Sequence, residues 1–357
     1  MNVQSFPAPD YFLPLIPESV AIYHPVQTLS FFLSFPKYDQ TADGAYGVNH
    51  RVVLDACCIV AQNTPGFLST TSDPAQRVDR QTEALVGAAY HYFVVDSNHN
   101  LCNDQNYRLV SCFRDWTFPA NIPAHWSHAK VLRARFSTAS DGKMSELVKD
   151  DDQACIVTGY LENSGACGNA HLVPREEGDW FANNSMNHYN HRYLRSNPQD
   201  PANGLCLRRD LHASMDRKAV VFVPAHDQSC FVAYFISDSA VDLPTYFHAR
   251  RIKLSDRVAP QFLYARFAYN VFDQIPSVLR RLPSPSRSTP SEFPEGDENG
   301  VFDSTLLPWV QKLEDLKADW LAKHPNIRQT SADDENPAEG SAKHRSDVPV
   351  YSAETTL

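Results

Sequence analysis

The stretch from Asn203 to Asp216 (NGLCLRRDLHASMD) constrains the fold more than any bulk property of the chain. Asn-Gly is a strong turn signal, and Gly204 offers a turn into a strand through Leu205, Cys206 and Leu207. Arg209-Asp210 marks a helix start, with Asp210 as its expected N-cap. On such a helix His212 and Asp216, four residues apart, project from one face and can chelate one ion. An imidazole plus a carboxylate suits Mg²⁺, Mn²⁺, or a transition ion such as Zn²⁺ or Ni²⁺.

Three further pieces stand in order around this stretch. Cys155-Ile156-Val157-Thr158-Gly159 opens the region, and Ala170-His171-Leu172-Val173-Pro174 follows. Ala219 to Pro224 (AVVFVP) reads as a closing strand. His171 is expected at the end of a short apolar strand through Leu172 and Val173 that Pro174 terminates, which keeps its ring near the surface. A neutral imidazole can take a proton from water near pH 7, because an unperturbed histidine titrates at about 6.5. Phosphodiester hydrolysis needs such an activated water and a cation against the charge at phosphorus.

The ordered set resembles the HNH nuclease family, in particular a fungal branch of this ββα-metal superfamily. The nine-residue interval from Asn203 to His212 is its most specific part. The segments Phe113 to Pro119 and Phe262 to Tyr269 look like flanking signatures of the same proteins. The resemblance implies a metal-dependent endonuclease acting on nucleic acid, most simply DNA, with a divalent cofactor, Mg²⁺ first. It implies His171 as base, Asn203 as a brace that orients the His171 loop through backbone hydrogen bonds, and His212 with Asp216 as metal ligands. Arg208, Arg209, Arg217 and Lys218 flank the helix as phosphate contacts. The family pattern often sets Asp or His directly before the base histidine, where this chain has Ala170. A third ligand then comes from elsewhere, or the ion arrives with the substrate. The alternative reading is a catalytically degenerate module that binds nucleic acid or protein.

The net charge of −10 does not exclude a nucleic-acid binder, because residues 282–357 carry 7 Lys+Arg against 14 Asp+Glu. No CxxC pair occurs among the eight cysteines, which disfavours a zinc ribbon; Cys155 and Cys206 read as small buried residues. No run approaches the roughly 18 apolar residues of a membrane span. Residues 1–17 have no basic stretch and four prolines, unlike a secretory signal, so an intracellular protein of nucleus or cytoplasm is expected.

The expected fold class is α+β, a ββα-metal HNH module packed with a strand-rich N-terminal domain. Residues 1–150 form that mixed domain of unassigned role, and 151–282 form the nuclease domain with a following helix. A Pro/Ser/acidic linker spans 283–302, an amphipathic helix 303–323, and an acidic, disordered tail 324–357. His50 to Gln62 has an apolar face at helical spacing, and Pro260 to Leu282 does likewise. Ala89 to Val95, Val110 to Trp116 and Ala129 to Phe136 are expected strands. His188 and His191 are expected in a solvent loop, and Glu176 and Glu177 on its surface.

Overall fold

The structure is a computed structural model that describes residues 17–27, 30–128, 143–161, 165–191, 197–240 and 242–280. Residues 1–287 form one compact unit, and residues 288–357 fall in a second that lies outside the described residues. The expected linker, amphipathic helix and tail, and the strand at 129–136, also lie outside them.

The chain opens with β1 (Ser19–Tyr23), β2 (Phe31–Pro36), β3 (Asp39–Gln40) and β4 (Tyr46–Asn49), then enters α1 (His50–Val60). Asn49 caps α1, its side chain accepting from the Arg51 and Val52 amides at 3.0 and 3.2 Å. The apolar face that the spacing predicts (Val53, Ala56, Cys57, Val60) is fully buried. Next come β5 (Gly66–Ser69), β6 (Ala84–Leu85) and β7 (Ala89–Val94). One sheet has the order β2-β1-β7-β5, with only β1 and β7 parallel, and a small sheet joins β3, β4 and β6.

After α2 (Ala124–His128) comes α3 (Met144–Asp152), which runs straight through the expected boundary at residue 150. Arg257, 1% exposed, fastens the end of that helix to the following region. Its guanidinium lies 3.1 Å from Asp151 and 2.6 Å from Asp152, and it donates to the Pro201 and Gly204 carbonyls. Asp152 in turn accepts from the Cys206 amide at 2.8 Å. The acidic run that looked like a boundary marker is therefore an internal fastening.

Two antiparallel strands follow, β8 (Cys167–His171) and β9 (Gly204–Arg208), with His171 opposite Gly204 and Cys167 opposite Arg208. Between them the chain makes α4 (Gly178–Asn183) and 3₁₀ turns at Arg175–Glu177, Met186–Tyr189 and Pro201–Asn203. α5 (Arg209–Asp216) starts at the residue after β9. β10 (Val220–Pro224), β11 (Phe231–Phe235) and β12 (Arg250–Arg251) form a three-stranded sheet, with α6 (Leu243–Phe247) between the last two. α7 (Pro260–Val271) and α8 (Ser277–Arg280) complete the described chain. The helix expected to reach Leu282 stops at Val271, passes into a 3₁₀ turn at Phe272–Gln274, and is broken before Pro276.

Residues 110–116 are not a strand, since Phe113–Asp115 is a single 3₁₀ turn. Their apolar residues enter an aromatic cluster instead. Trp116 stacks on Trp180 at 5.8 Å, and Phe113 meets Trp180 and Tyr269 at 4.2 and 5.1 Å. The Trp180 indole donates to the Trp116 carbonyl at 2.7 Å. This cluster joins the N-terminal region, the excursion between β8 and β9, and α7.

Gly204 is not a turn residue. Its backbone is extended (φ −131°, ψ 152°), and the turn is the 3₁₀ segment before it. Glycine is needed there for space, because a Cβ would lie 2.6 Å from Met144 Cε, 2.7 Å from Asn169 Oδ1 and 2.8 Å from Val148 Cγ2. Gly204→Ala should therefore cost about 1–3 kcal/mol by overpacking α3 against β9. A urea midpoint unchanged from the parent would contradict this.

Candidate active site

Each element places its functional side chain for a local reason. His171 is the last residue of β8, so the strand precedes it, whereas Leu172 and Val173 lie beyond the strand and are buried. Alternation along β8 turns neighbouring side chains to opposite faces. Ala170 is accordingly fully buried, and its position offers no polar atom to the pocket beside His171.

Asn203 is fully buried and spans the base of the excursion. Its Oδ1 accepts from the Val173 amide at 2.7 Å, and its Nδ2 donates to the carbonyls of Val173 and Pro198, both at 2.9 Å. The Leu172 amide donates to the Asn203 carbonyl at 2.9 Å. Two side-chain bonds to Val173 and one backbone bond to Leu172 thus hold the two residues that follow His171, and the third side-chain bond ties them to Pro198.

α5 carries His212 and Asp216 on one face, with Nε2 and Oδ2 3.6 Å apart. His212 lies close over β8: a Cβ at Gly168 would stand 3.1 Å from its Nδ1. Asp210 is the second helical residue rather than the N-cap, which is Arg208. Its carboxylate accepts from Arg208 Nε and Nη2 at 2.8 and 2.6 Å and from the Leu211 amide at 2.8 Å.

His171, His212 and Asp216 meet in one cavity of ≈ 330 Å³ lined also by Pro174, Arg175, Glu176, Arg266 and Tyr269. The last two come from α7. The signal for Arg266 was present in the sequence as an arginine inside the apolar stripe of Phe262, Leu263 and Phe267. Glu176 is exposed, as expected, but Glu177 is buried and paired with Arg114 at 2.9 Å.

Burial, foremost, and then the positive charge of Arg175 hold the His171 imidazole down at about 4, so it is neutral at pH 7. Arg175 Nε–H donates to His171 Nε2 at 3.3 Å. His212 and Asp216 fit a divalent ion as a two-residue imidazole–carboxylate set, the Asp216 side chain being 65% exposed beside the cavity. Among the described residues no group of three His, Cys, Asp or Glu side chains is placed to hold a metal.

Of the four basic residues expected to grip nucleic acid, two are paired with carboxylates within the chain. Arg208 is paired with Asp210, and Lys218 lies 3.3 Å from Asp273 and 4.6 Å from the centre of the Tyr269 ring. Arg209 and Arg217 are exposed and make no ion pair among the described residues. His188 and His191 are exposed, as expected, on a segment that is anchored to the fold at two points. Met186 is fully buried and His191 Nε2 lies 2.8 Å from the Arg257 carbonyl. All eight cysteines are free, Cys155 and Cys206 among the buried ones. Among the described residues no helix is long and apolar enough to cross a membrane.

Comparison with curated proteins and with solved structures returns no match. The family model of the HNH endonucleases matches residues 155–223, the stretch that contains His171, Asn203, His212 and Asp216.

Proposed function

We propose that this chain is a metal-dependent endonuclease that hydrolyses phosphodiester bonds of nucleic acid, with DNA as the first substrate to test. The observation that carries the reading is the meeting of a neutral His171 imidazole with His212 and Asp216 in one cavity.

His171 Nε2 accepts a proton from water as the water oxygen attacks phosphorus. The bond from phosphorus to the leaving sugar oxygen breaks, and that oxygen takes a proton from solvent. The lone pair on Nε2 is engaged by Arg175 in the free protein, so the base is released when exposed Arg175 turns to a phosphate oxygen. Asn203 keeps His171 in place through the Val173 backbone. His212 and Asp216 would hold Mg²⁺, or Mn²⁺, Zn²⁺ or Ni²⁺, which when bound supplies positive charge against the phosphorane-like transition state. Arg209 and Arg217 hold the backbone of the substrate, and Arg208 and Lys218 join them where the phosphates displace their internal partners.

Supercoiled plasmid and single-stranded RNA, each incubated with Mg²⁺ or Mn²⁺, test the reading. Nicking is expected, and it should vanish in EDTA and in the double variant His212→Ala/Asp216→Asn. Cleavage that persists in EDTA would remove the metal from the scheme. Buried Ala170 and the two-residue ligand set favour a second reading, a module that binds nucleic acid without cutting it. Unaltered DNA affinity with no heat of Mn²⁺ binding would select that one.

A further inference from the structure

Two arginines are buried in the described core, and they differ in what surrounds them. Arg257, 1% exposed, is neutralised by Asp151 and Asp152 and donates to two carbonyls. Arg266, 2% exposed, has no carboxylate within ion-pair distance among the described residues. Its partners are neutral: one terminal nitrogen donates to the His171 carbonyl, the other lies 3.5 Å from Asn270 Oδ1, and the Tyr269 ring centre is 5.2 Å away. Its Nε, also buried, has no hydrogen-bond partner. A guanidinium has five donor hydrogens in a planar fork that matches phosphate, and these contacts leave part of that fork unused. The residue lines the same cavity as His171, His212 and Asp216. Desolvating a cation with no carboxylate in direct contact is costly, and an anion entering the cavity offsets that cost.

We propose that Arg266 is the phosphate anchor of this cavity, so that α7, outside the stretch matched by the endonuclease family, completes the site. The inference rests on the reading of the cavity as a phosphodiester site. A residue serving only to brace His171 needs one hydrogen bond to its carbonyl, which a lysine can supply. Anchoring a phosphate in two-point fashion needs the fork. Glu176 and Asp216 line the same cavity and oppose an anion, while Arg175 favours one. Phosphate should therefore bind more tightly once a divalent cation neutralises Asp216.

The test is calorimetric titration of the full chain with inorganic phosphate and with thymidine 3′,5′-bisphosphate, first in EDTA and then in Ca²⁺. Wild type should bind both, more tightly in Ca²⁺. Arg266→Gln should lose about tenfold or more in affinity, and Arg266→Lys should fall between. Should Arg266→Gln fail to fold, Arg266→Lys and the wild-type Nε–H resonance of Arg266 decide, the latter shifting when phosphate is added. Equal affinity in wild type and Arg266→Lys without a shift of that resonance, or no phosphate binding by wild type in either condition, would overturn the anchor. The two ideas fail separately. Phosphate binding that depends on Arg266 in a protein that cuts nothing sinks the nuclease alone. Cleavage that depends on His171 with phosphate binding indifferent to residue 266 sinks the anchor alone.

Discussion

His171→Ala is expected to lower the rate of phosphodiester cleavage by about 10²–10⁴-fold at pH 7, the usual contribution of a positioned general base. Substrate affinity should change little, because Arg209, Arg217 and the His212/Asp216 pair are untouched. The pH profile adds a sharper expectation. With the imidazole held at about 4, the acid limb due to this residue belongs near pH 4 rather than 6.5. The same shift acts on stability. Between about 4 and 6.5 the unfolded chain binds a proton at this residue and the folded chain does not. Its contribution to stability is therefore complete above 6.5 and declines as pH falls through that window. Rates from about pH 3.5 to 8 in wild type and His171→Ala check the assignment, and equal rates in the two proteins would remove His171 from the chemistry.

Arg257→Met is expected to destabilise the fold by about 3–5 kcal/mol, the cost of stripping one partner from a buried ionic group. Asp151 and Asp152 would then face each other without a cation, and the Pro201 and Gly204 carbonyls would lose a donor. Burial already raises the Asp152 carboxyl despite Arg257, so the loss should shrink in acid, where that carboxyl can take up a proton. Urea unfolding beside the exposed control Arg209→Met measures it. Midpoints that shift alike in the two variants would show that the fastening contributes nothing beyond surface charge.

These two arginines mark what could be seen in the sequence and what could not. The placement of His171, His212 and Asp216 around one cavity was legible because it is tied to short intervals along one strand end and one helix face. Asn203 was legible as a brace, yet the glycine beside it was read for its backbone freedom when its lack of a side chain was what the packing required. Arg257 and Arg266 lie 41 and 50 residues beyond Asp216 and act on parts of the chain brought near only by tertiary folding. An aromatic run at 110–116 looked like a strand, since burial in an aromatic cluster and burial in a sheet select the same residue types. The boundary placed at 150 failed for a related reason. Three successive aspartates resemble a solvated linker until a cation from over a hundred residues away is found between two of them.

The late position of these cations has a consequence for synthesis. A ribosome delivers His171, Asn203, His212 and Asp216 before either Arg257 or α7 has been made. A nascent chain halted near residue 224 would hold every residue of the motif, while the loop before β9 stayed unfastened and the cavity lacked one wall. A prematurely terminated product would thus carry the motif without the wall that α7 gives the cavity.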